Sequence, residues 1–166
     1  MSEQPSRAYR TFTNPWYFLA LGFGSGLSRW MPGTAGTLAA IPVYILFAPL
    51  GPWWHLGITA AAFGAGIYLC DWVARDMKIK DPGCIVWDEF VGLWITYWFL
   101  PDGMLWLLIG FLLFRLFDIV KPWPVSWLDR NLTGGLGIMV DDVAAGLMAL
   151  VTLQLAHFGG QSYGWF

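Results

Sequence analysis

The sequence predicts an all-α polytopic membrane protein, a compact bundle of about four to five short transmembrane or re-entrant helices with loops on the cytoplasmic face. Of the 166 residues, 57% are hydrophobic and only 12% are charged, whereas about 25% are charged in an average soluble domain. The mean hydropathy is +0.56, and the 12 Trp and 12 Phe residues add more apolar surface than a soluble domain of this length can bury. Lipid is therefore the expected solvent for much of the chain.

Five apolar stretches are candidates for the helices of this bundle, because a spanning helix needs about 20 predominantly apolar residues. They are residues 37–50, 53–73, 88–100, 103–120 and 143–158. The first and the third are short, and each is compatible with a re-entrant segment as well as with a crossing. An earlier apolar run at 15–23 is too short to span a membrane and predicts an interfacial or partly buried helix.

No internal repeat or long linker divides the sequence, so we expect a single domain. Its parts are a polar N-terminal segment (1–14), a membrane-embedded domain (15–158) and a short tail (159–166). Trp and Tyr residues near the ends of the apolar stretches are typical of the aromatic belts at a membrane surface. Examples are Trp16, Tyr17, Trp53, Trp54, Trp123 and Trp127.

Basic residues fall in three groups, at positions 7–29, 75–80 and 115–130. If all five stretches cross the membrane, these groups lie on one face, which the positive-inside rule makes cytoplasmic. The acidic residues from Asp71 to Asp142 fall on the same face, except Asp102. We therefore expect the functional groups on this face. The net charge of −2 offers no extended basic surface, so nucleic acid is not an expected partner.

Two acidic doublets, Asp88-Glu89 and Asp141-Asp142, each begin an apolar stretch. A carboxylate at the edge of the hydrocarbon layer is costly unless it is paired or ligated. One member of each doublet could simply cap a helix. Two doublets are harder to explain by capping alone, and they predict a cluster of oxygen ligands for a cation.

A third group, Arg115, Asp118 and Lys121, has a spacing of three residues, which places its members on one helical face until Pro122 ends the helix. A local ion pair explains this pattern. So does a mixed site, in which carboxylates hold a hard cation while Arg and Lys bind phosphate oxygens. No histidine falls on this face, so Mg²⁺, or alternatively Mn²⁺, is favoured over Zn²⁺.

Two glycine-rich segments, residues 22–37 and 133–137, have the composition of loops. Glycine lets backbone amides approach an anion closely, although a flexible turn needs the same composition. Neither segment is a nucleotide-binding loop, because the required Lys or the third glycine is missing. The polar residues of the first segment are candidates for phosphate binding: Ser25, Ser28, Arg29 and Thr34.

Four motifs together resemble one known family. They are GFGSGLSRWMPGTAGT at 22–37, VWDEFVG at 86–92, FRLFDIVKPWP at 114–124 and GGLGIMVDDVAAG at 134–146. The chain closely resembles bacterial phosphatidylglycerophosphatase A from about residue 14 to residue 150. This resemblance implies a multi-pass protein of the bacterial inner (cytoplasmic) membrane, with its active site facing the cytoplasm. It also implies a Mg²⁺-dependent hydrolase that removes the terminal phosphate of the lipid phosphatidylglycerol phosphate to give phosphatidylglycerol.

The motifs and the resemblance lead to one predicted site in the 15–158 phosphatase domain. The pool of metal ligands and catalytic groups is Asp88, Glu89, Asp118, Asp141 and Asp142. The predicted phosphate-binding residues are Ser25, Ser28, Arg29, Thr34, Arg115 and Lys121. The expected partners are the lipid substrate and membrane lipids, and the sequence carries no indication of an oligomeric state.

A membrane ion or proton carrier is the alternative function, since carriers also place carboxylates in membrane helices. A carrier is expected to hold ionisable groups near the middle of the membrane, commonly in repeated halves. The carboxylates of this sequence instead crowd one boundary. A purely structural membrane subunit leaves the acidic doublets without a role.

Overall fold

The computed structural model describes residues 7–162. Within that range the protein is all-helical, which confirms the predicted fold class. The helices are α1 (Arg7–Thr13), α2 (Pro15–Ala20), α3 (Pro32–Phe47), α4 (Pro52–Met77), α5 (Trp87–Thr96), α6 (Met104–Val120), α7 (Val125–Asn131) and α8 (Gly134–Ser162). Residues 1–6 of the predicted N-terminal segment and 163–166 of the predicted tail lie outside the described range.

Three helical segments in the described range are long and apolar enough to cross a membrane. They are Pro32–Leu50, Pro52–Met77 and Gly134–Ser162. Helix α8 is the central helix, because 56% of its most apolar window is buried, against 28% and 33% for the other two. Helix α6, with 17 residues, is about 26 Å long at 1.5 Å per residue.

The predicted stretch 88–100 does not form a spanning helix. Helix α5 has 10 residues and is therefore only about 15 Å long. It ends at Thr96, and Phe99 and Gly103 then adopt positive φ angles of 56° and 116°. The turn after α5 still reaches the α3–α4 junction, since Trp98 Nε1 donates a hydrogen bond to the Pro52 carbonyl at 3.2 Å. The five apolar segments therefore still run in alternating directions along the bundle, as expected from the sequence.

The helix ends define two ends of the bundle. The charged end is formed by the starts of α3, α5 and α8 and by the last residues of α4 and α6. The far end carries the α3–α4 junction at Gly51 and the α5–α6 turn near Asp102. At the far end, Gln154 Nε2 of α8 donates to the Phe99 carbonyl at 2.8 Å. The charged groups predicted to share one face therefore share one end of the structure.

Helices α5 and α8 approach each other most closely at Gly92 and Gly146. A Cβ atom on Gly146 would overlap the Gly92 carbonyl, so the crossing requires glycine there. Thr96 Oγ1 is within hydrogen-bond distance of both carbonyls, at 3.0 Å from Gly92 O and 3.3 Å from Gly146 O. Asp88 and Asp142 each lie four residues, about one helical turn, before these glycines. The glycine contact therefore brings the two acidic doublets together.

Both glycine-rich segments were predicted to be loops, and this prediction is wrong for much of each. Pro32 begins α3, where its missing N–H costs no hydrogen bond, and Thr37 Oγ1 donates to the Gly33 carbonyl within the helix. Gly135 lies in the first turn of α8, and a Cβ atom there would overlap the Ile67 carbonyl of α4. These glycines permit close helix packing. Residues Gly22–Leu27 form an irregular 3₁₀ segment with positive φ at Phe23 and Gly24.

Aromatic residues surround both ends of the bundle, as expected for membrane belts. Trp53 and Trp54 are exposed at the far end, and Trp123 and Trp127 are exposed at the charged end. Tyr17 differs from the prediction. It is buried, and its hydroxyl donates to Asp76 Oδ2 at 2.6 Å, so it helps to fix α2 against α4.

Candidate active site

An open cavity of about 480 Å³ lies at the charged end, enclosed by α5, α6, α7, α8 and the loop before α5. All five predicted acidic residues and Lys121 line it. They come from three helices: Asp88 and Glu89 from the first turn of α5, Asp118 and Lys121 from the end of α6, and Asp141 and Asp142 from about two turns inside α8. The structure thus assembles in one place residues that the sequence separates by more than fifty positions.

Asp88, Glu89 and Asp142 form the innermost group of carboxylates. One oxygen from each lies within 4.8 Å of the others. Asp142 is only 4% exposed, and its Oδ2, like Oε2 of Glu89, is buried without a hydrogen-bond partner. Adjacent buried carboxylates repel each other, and each loses hydration, unless a cation lies between them. The donor set consists only of oxygen atoms, which suits a hard cation such as Mg²⁺.

Arg115 connects α6 to this group. Its Nη1 donates to Asp118 Oδ2 at 2.5 Å, the local ion pair expected from their spacing. The same nitrogen lies 3.8 Å from Glu89 Oε1. It also lies 3.4 Å from Thr37 Oγ1 of α3. Because these contacts join three helices, the Arg115–Asp118 pair is part of the site as well as a local helix contact.

The Lys121 side chain does not lie on the helical face that Arg115 and Asp118 share. It has a left-handed φ of 46° just after α6, and its Nζ donates to Asp129 Oδ1 and Asp141 Oδ2, both at 2.7 Å. Burial alone would lower the pKa of the Lys121 ammonium group, but these two hydrogen bonds raise this pKa above its ordinary value. Lys121 is therefore a permanent positive charge that links α7 to α8.

Four charged residues of the cavity were not predicted from the sequence. They are Lys80, Asp81, Asp129 and Arg130. Lys80 and Asp81 lie in the loop before α5, and Asp129 and Arg130 lie in the short helix α7. In the sequence they are distinguished only as two pairs of adjacent acidic and basic residues near the predicted motifs.

The predicted phosphate-binding residues of the first glycine-rich segment do not line this cavity. Ser25 Oγ donates to the Gly22 carbonyl at 2.8 Å. Ser28 and Arg29 line a neighbouring cavity of about 590 Å³, and Gly83 borders both cavities. Thr34 lies in the first turn of α3. Phosphate binding by these four residues stays a prediction.

Comparison with known proteins identifies the family. The family model for phosphatidylglycerophosphatase A matches residues 18–157, which include the whole cavity. The chain belongs to the phosphatidylglycerophosphatase A family. The resemblance seen in the four motifs is thereby confirmed, and the protein is a phosphatase.

Two relatives carry the family name. Phosphatidylglycerophosphatase A of Escherichia coli (strain K12) is 50% identical over 140 residues, covering 82% of this chain and 80% of the relative. The Haemophilus influenzae protein of the same name is 46% identical over 155 residues, 92% of this chain and 95% of the relative. A Bacteroides thetaiotaomicron protein with the provisional name phosphatidylinositol-3-phosphatase is 39% identical over 151 residues, 84% of this chain and 92% of the relative. No solved structure matches this chain.

Proposed function

We propose that this chain is a Mg²⁺-dependent phosphatase that hydrolyses the terminal phosphomonoester of phosphatidylglycerol phosphate to phosphatidylglycerol and inorganic phosphate. Membership of the family supports a phosphatase. The observation that carries the metal dependence is the group formed by Asp88, Glu89 and Asp142, in which two buried carboxylate oxygens have no partner. These residues would hold the cation.

The cation and the residues of the chain have separate roles in the proposed hydrolysis. When bound, Mg²⁺ supplies positive charge that polarises the phosphoryl group and orients a water molecule. Lys121 has three N–H donors and uses two of them on Asp129 and Asp141, so the third is available for a phosphate oxygen. Arg115 stabilises Asp118 and Glu89 and adds positive charge beside the cavity. Water attacks phosphorus while a carboxylate of the cavity accepts one of its protons, the bond between phosphorus and the lipid oxygen breaks, and that proton passes from the carboxylate to the leaving lipid alkoxide.

The substrate class follows from the lipids for which the relatives are named. Phosphatidylglycerol phosphate and phosphatidylinositol 3-phosphate both contain a phosphodiester that joins diacylglycerol to a polyol, and a phosphomonoester on that polyol. Hydrolysis acts on the monoester only. We infer that this chain takes lipids of this class, with the acyl chains remaining in the bilayer and the headgroup reaching the cavity at the charged end.

The proposed reaction is tested by phosphate release from dioleoyl phosphatidylglycerol phosphate in mixed micelles containing purified protein. Release of one phosphate per lipid, with phosphatidylglycerol as the second product, supports the proposal. An ion carrier would release no phosphate. The placement of the carboxylates at one end of the bundle, away from its middle, also disfavours a carrier.

The Lys121→Met variant should separate phosphate binding from metal binding. Loss of the ammonium group removes a donor to phosphate and leaves Asp141 and Asp129 without their shared cation. We expect kcat/KM to fall by about 10- to 100-fold, the range for a hydrogen bond between charged groups. Affinity for Mg²⁺ should be unchanged or tighter, since negative charge has been added.

Titration calorimetry with Mg²⁺ and phosphate-release kinetics on the same preparation would measure both quantities. Lys78→Met is the matched control, because Lys78 is exposed and does not line the cavity. A loss of Mg²⁺ affinity in Lys121→Met as large as its loss of kcat/KM would contradict this division of roles.

We also propose that the protein lies in the bacterial inner membrane with its charged end in the cytoplasm. The basic groups near α4, α6 and α7 support this orientation through the positive-inside rule. Single cysteines at Lys78, at the charged end, and at Met104, at the far end, provide the test, since both side chains are exposed. The natural Cys70 and Cys84 are buried and should react slowly.

In intact cells with a permeable outer membrane, a membrane-impermeant maleimide should label Met104→Cys and spare Lys78→Cys. Both variants should be labelled after lysis. Labelling of Lys78→Cys alone in intact cells would reverse the orientation, and labelling of both would refute the assignment of the two ends to opposite faces.

A further inference from the structure

Two kinds of positively charged residue lie in or beside the cavity. Arg115 and Lys121 are each within 4.0 Å of two carboxylates, so much of their charge is neutralised by the protein itself. Lys80 and Arg130 also border the site and line the same cavity, yet neither forms an ion pair with any residue in the range 7–162. These two cations are therefore available to an anionic ligand.

The position of Arg130 relates this free charge to the membrane. Arg130 lies on α7, next to Asp129, whose carboxylate accepts a hydrogen bond from Lys121 inside the cavity. The same short helix carries Trp127, which is 55% exposed, and is preceded by Trp123, which is 78% exposed. Exposed Trp side chains in membrane proteins occupy the headgroup level. Arg130 thus borders the cavity on a short helix whose exposed Trp side chain is expected at the headgroup level.

A lipid of the proposed class carries two phosphates at different distances from its acyl chains. The phosphodiester is attached to diacylglycerol at the membrane surface, and the phosphomonoester is further from it. A monoester bound near Asp88, Glu89 and Asp142 therefore leaves the phosphodiester on the membrane side of the cavity. The phosphodiester keeps one negative charge, which unpaired Arg and Lys side chains can bind.

We propose that Arg130 and Lys80 form a second anion-binding site, which takes the phosphodiester of the substrate and favours lipids with two phosphates over phosphatidic acid. This inference rests on the proposed function and adds specificity-determining residues to it. Phosphatidic acid has a monoester attached directly to diacylglycerol and no phosphodiester, so it gains nothing from these two residues. The unpaired cations of the cavity thus distinguish the two lipid classes.

Two soluble competitive inhibitors separate the two anion sites. Inorganic phosphate probes the monoester position, and glycerophosphoglycerol, which has a phosphodiester alone, probes the second site. In Arg130→Gln and Lys80→Gln, the Ki for glycerophosphoglycerol should rise by about 3- to 5-fold each, the upper part of the range for exposed charge pairs. It should rise further in the double variant. The KM for dioleoyl phosphatidylglycerol phosphate should rise in parallel, with kcat nearly unchanged.

The Ki for inorganic phosphate and the rate on dioleoyl phosphatidic acid should stay within about twofold of wild type, the spread expected when no contact is lost. Arg75→Gln is the control for loss of one positive charge, since Arg75 is 80% exposed, pairs with Asp71 and does not line this cavity. An equal rise in both Ki values, or an unchanged Ki for glycerophosphoglycerol in the double variant, would overturn the second site. Failure of the wild-type protein to release phosphate would instead refute the proposed function.

Discussion

Excess EDTA is expected to abolish phosphate release by the purified protein, and added Mg²⁺ to restore it. Seven acidic residues line the cavity, and the cationic side chains of Lys121, which lines it, and Arg115, which lies beside it, are each shared between two carboxylates. Without a divalent cation this site repels a phosphate anion and cannot stabilise the charge that develops on phosphorus.

The measurement is phosphate release after chelation, with metal removal verified by elemental analysis, followed by titration of Mg²⁺, Mn²⁺ and Ca²⁺. Because the ligands are oxygen atoms, Mg²⁺ and Mn²⁺ should both restore activity. The fold should survive chelation, since apolar packing such as that of Phe90, Leu93 and Phe114 holds the helices together without a cation, and near-UV circular dichroism serves as the control. Full turnover in metal-free protein would exclude the proposed role of Asp88, Glu89 and Asp142.

Replacing Asp142 with Asn should lower kcat/KM by about 100-fold or more, as removal of single electrostatic groups does in other active sites. The amide keeps the size of the side chain and removes the negative charge that balances the cation. Asp142 is 4% exposed, and its Oδ2 has no hydrogen-bond partner. A bound cation would explain why this carboxylate is buried. Affinity for Mg²⁺ should fall with the rate, and high Mg²⁺ should restore part of the activity.

Asp102→Asn is the matched control, because Asp102 is exposed at the far end of the bundle. Asp88→Asn and Asp141→Asn extend the comparison to both doublets. Thermal unfolding in detergent distinguishes loss of the site from loss of the fold, and relief of carboxylate repulsion should raise the Tm of metal-free Asp142→Asn. Near wild-type activity in the Asp88 and Asp142 variants would reduce the doublets to structural residues.

The sequence was sufficient to predict that five of the acidic residues of the cavity would meet. Asp88, Glu89, Asp141 and Asp142 each precede an apolar stretch, and alternating helix directions bring such positions to one end of a bundle. The Arg115–Asp118 pair likewise follows from helical spacing alone. These features depend on local periodicity and on the order of the segments, which a sequence displays directly.

Other features depend on tertiary contacts that periodicity does not contain. Lys121 turns away from Asp118 toward Asp129 and Asp141 because its backbone is left-handed after α6. Asp129 and Arg130 line the cavity because of the orientation of α7. That orientation is determined by the packing of α7 against other helices. Gly135 was interpreted as a loop residue, although its role is to let α8 lie against the α4 backbone. Loops and close helix crossings both require glycine, so composition does not separate them.

The location of the acidic cavity, at the level where the apolar segments of α3, α5 and α8 begin, has a kinetic consequence. With the proposed lipid substrate, enzyme and substrate would meet by diffusion within the bilayer, so the encounter rate would depend on the number of substrate molecules per unit of membrane area. Diluting the substrate with inert lipid slows the reaction even when the amount per millilitre is constant. The substrate level that saturates the enzyme is then expressed as a mole fraction of the membrane lipid. A cell can therefore control the rate of the proposed reaction by the lipid composition of its bilayer.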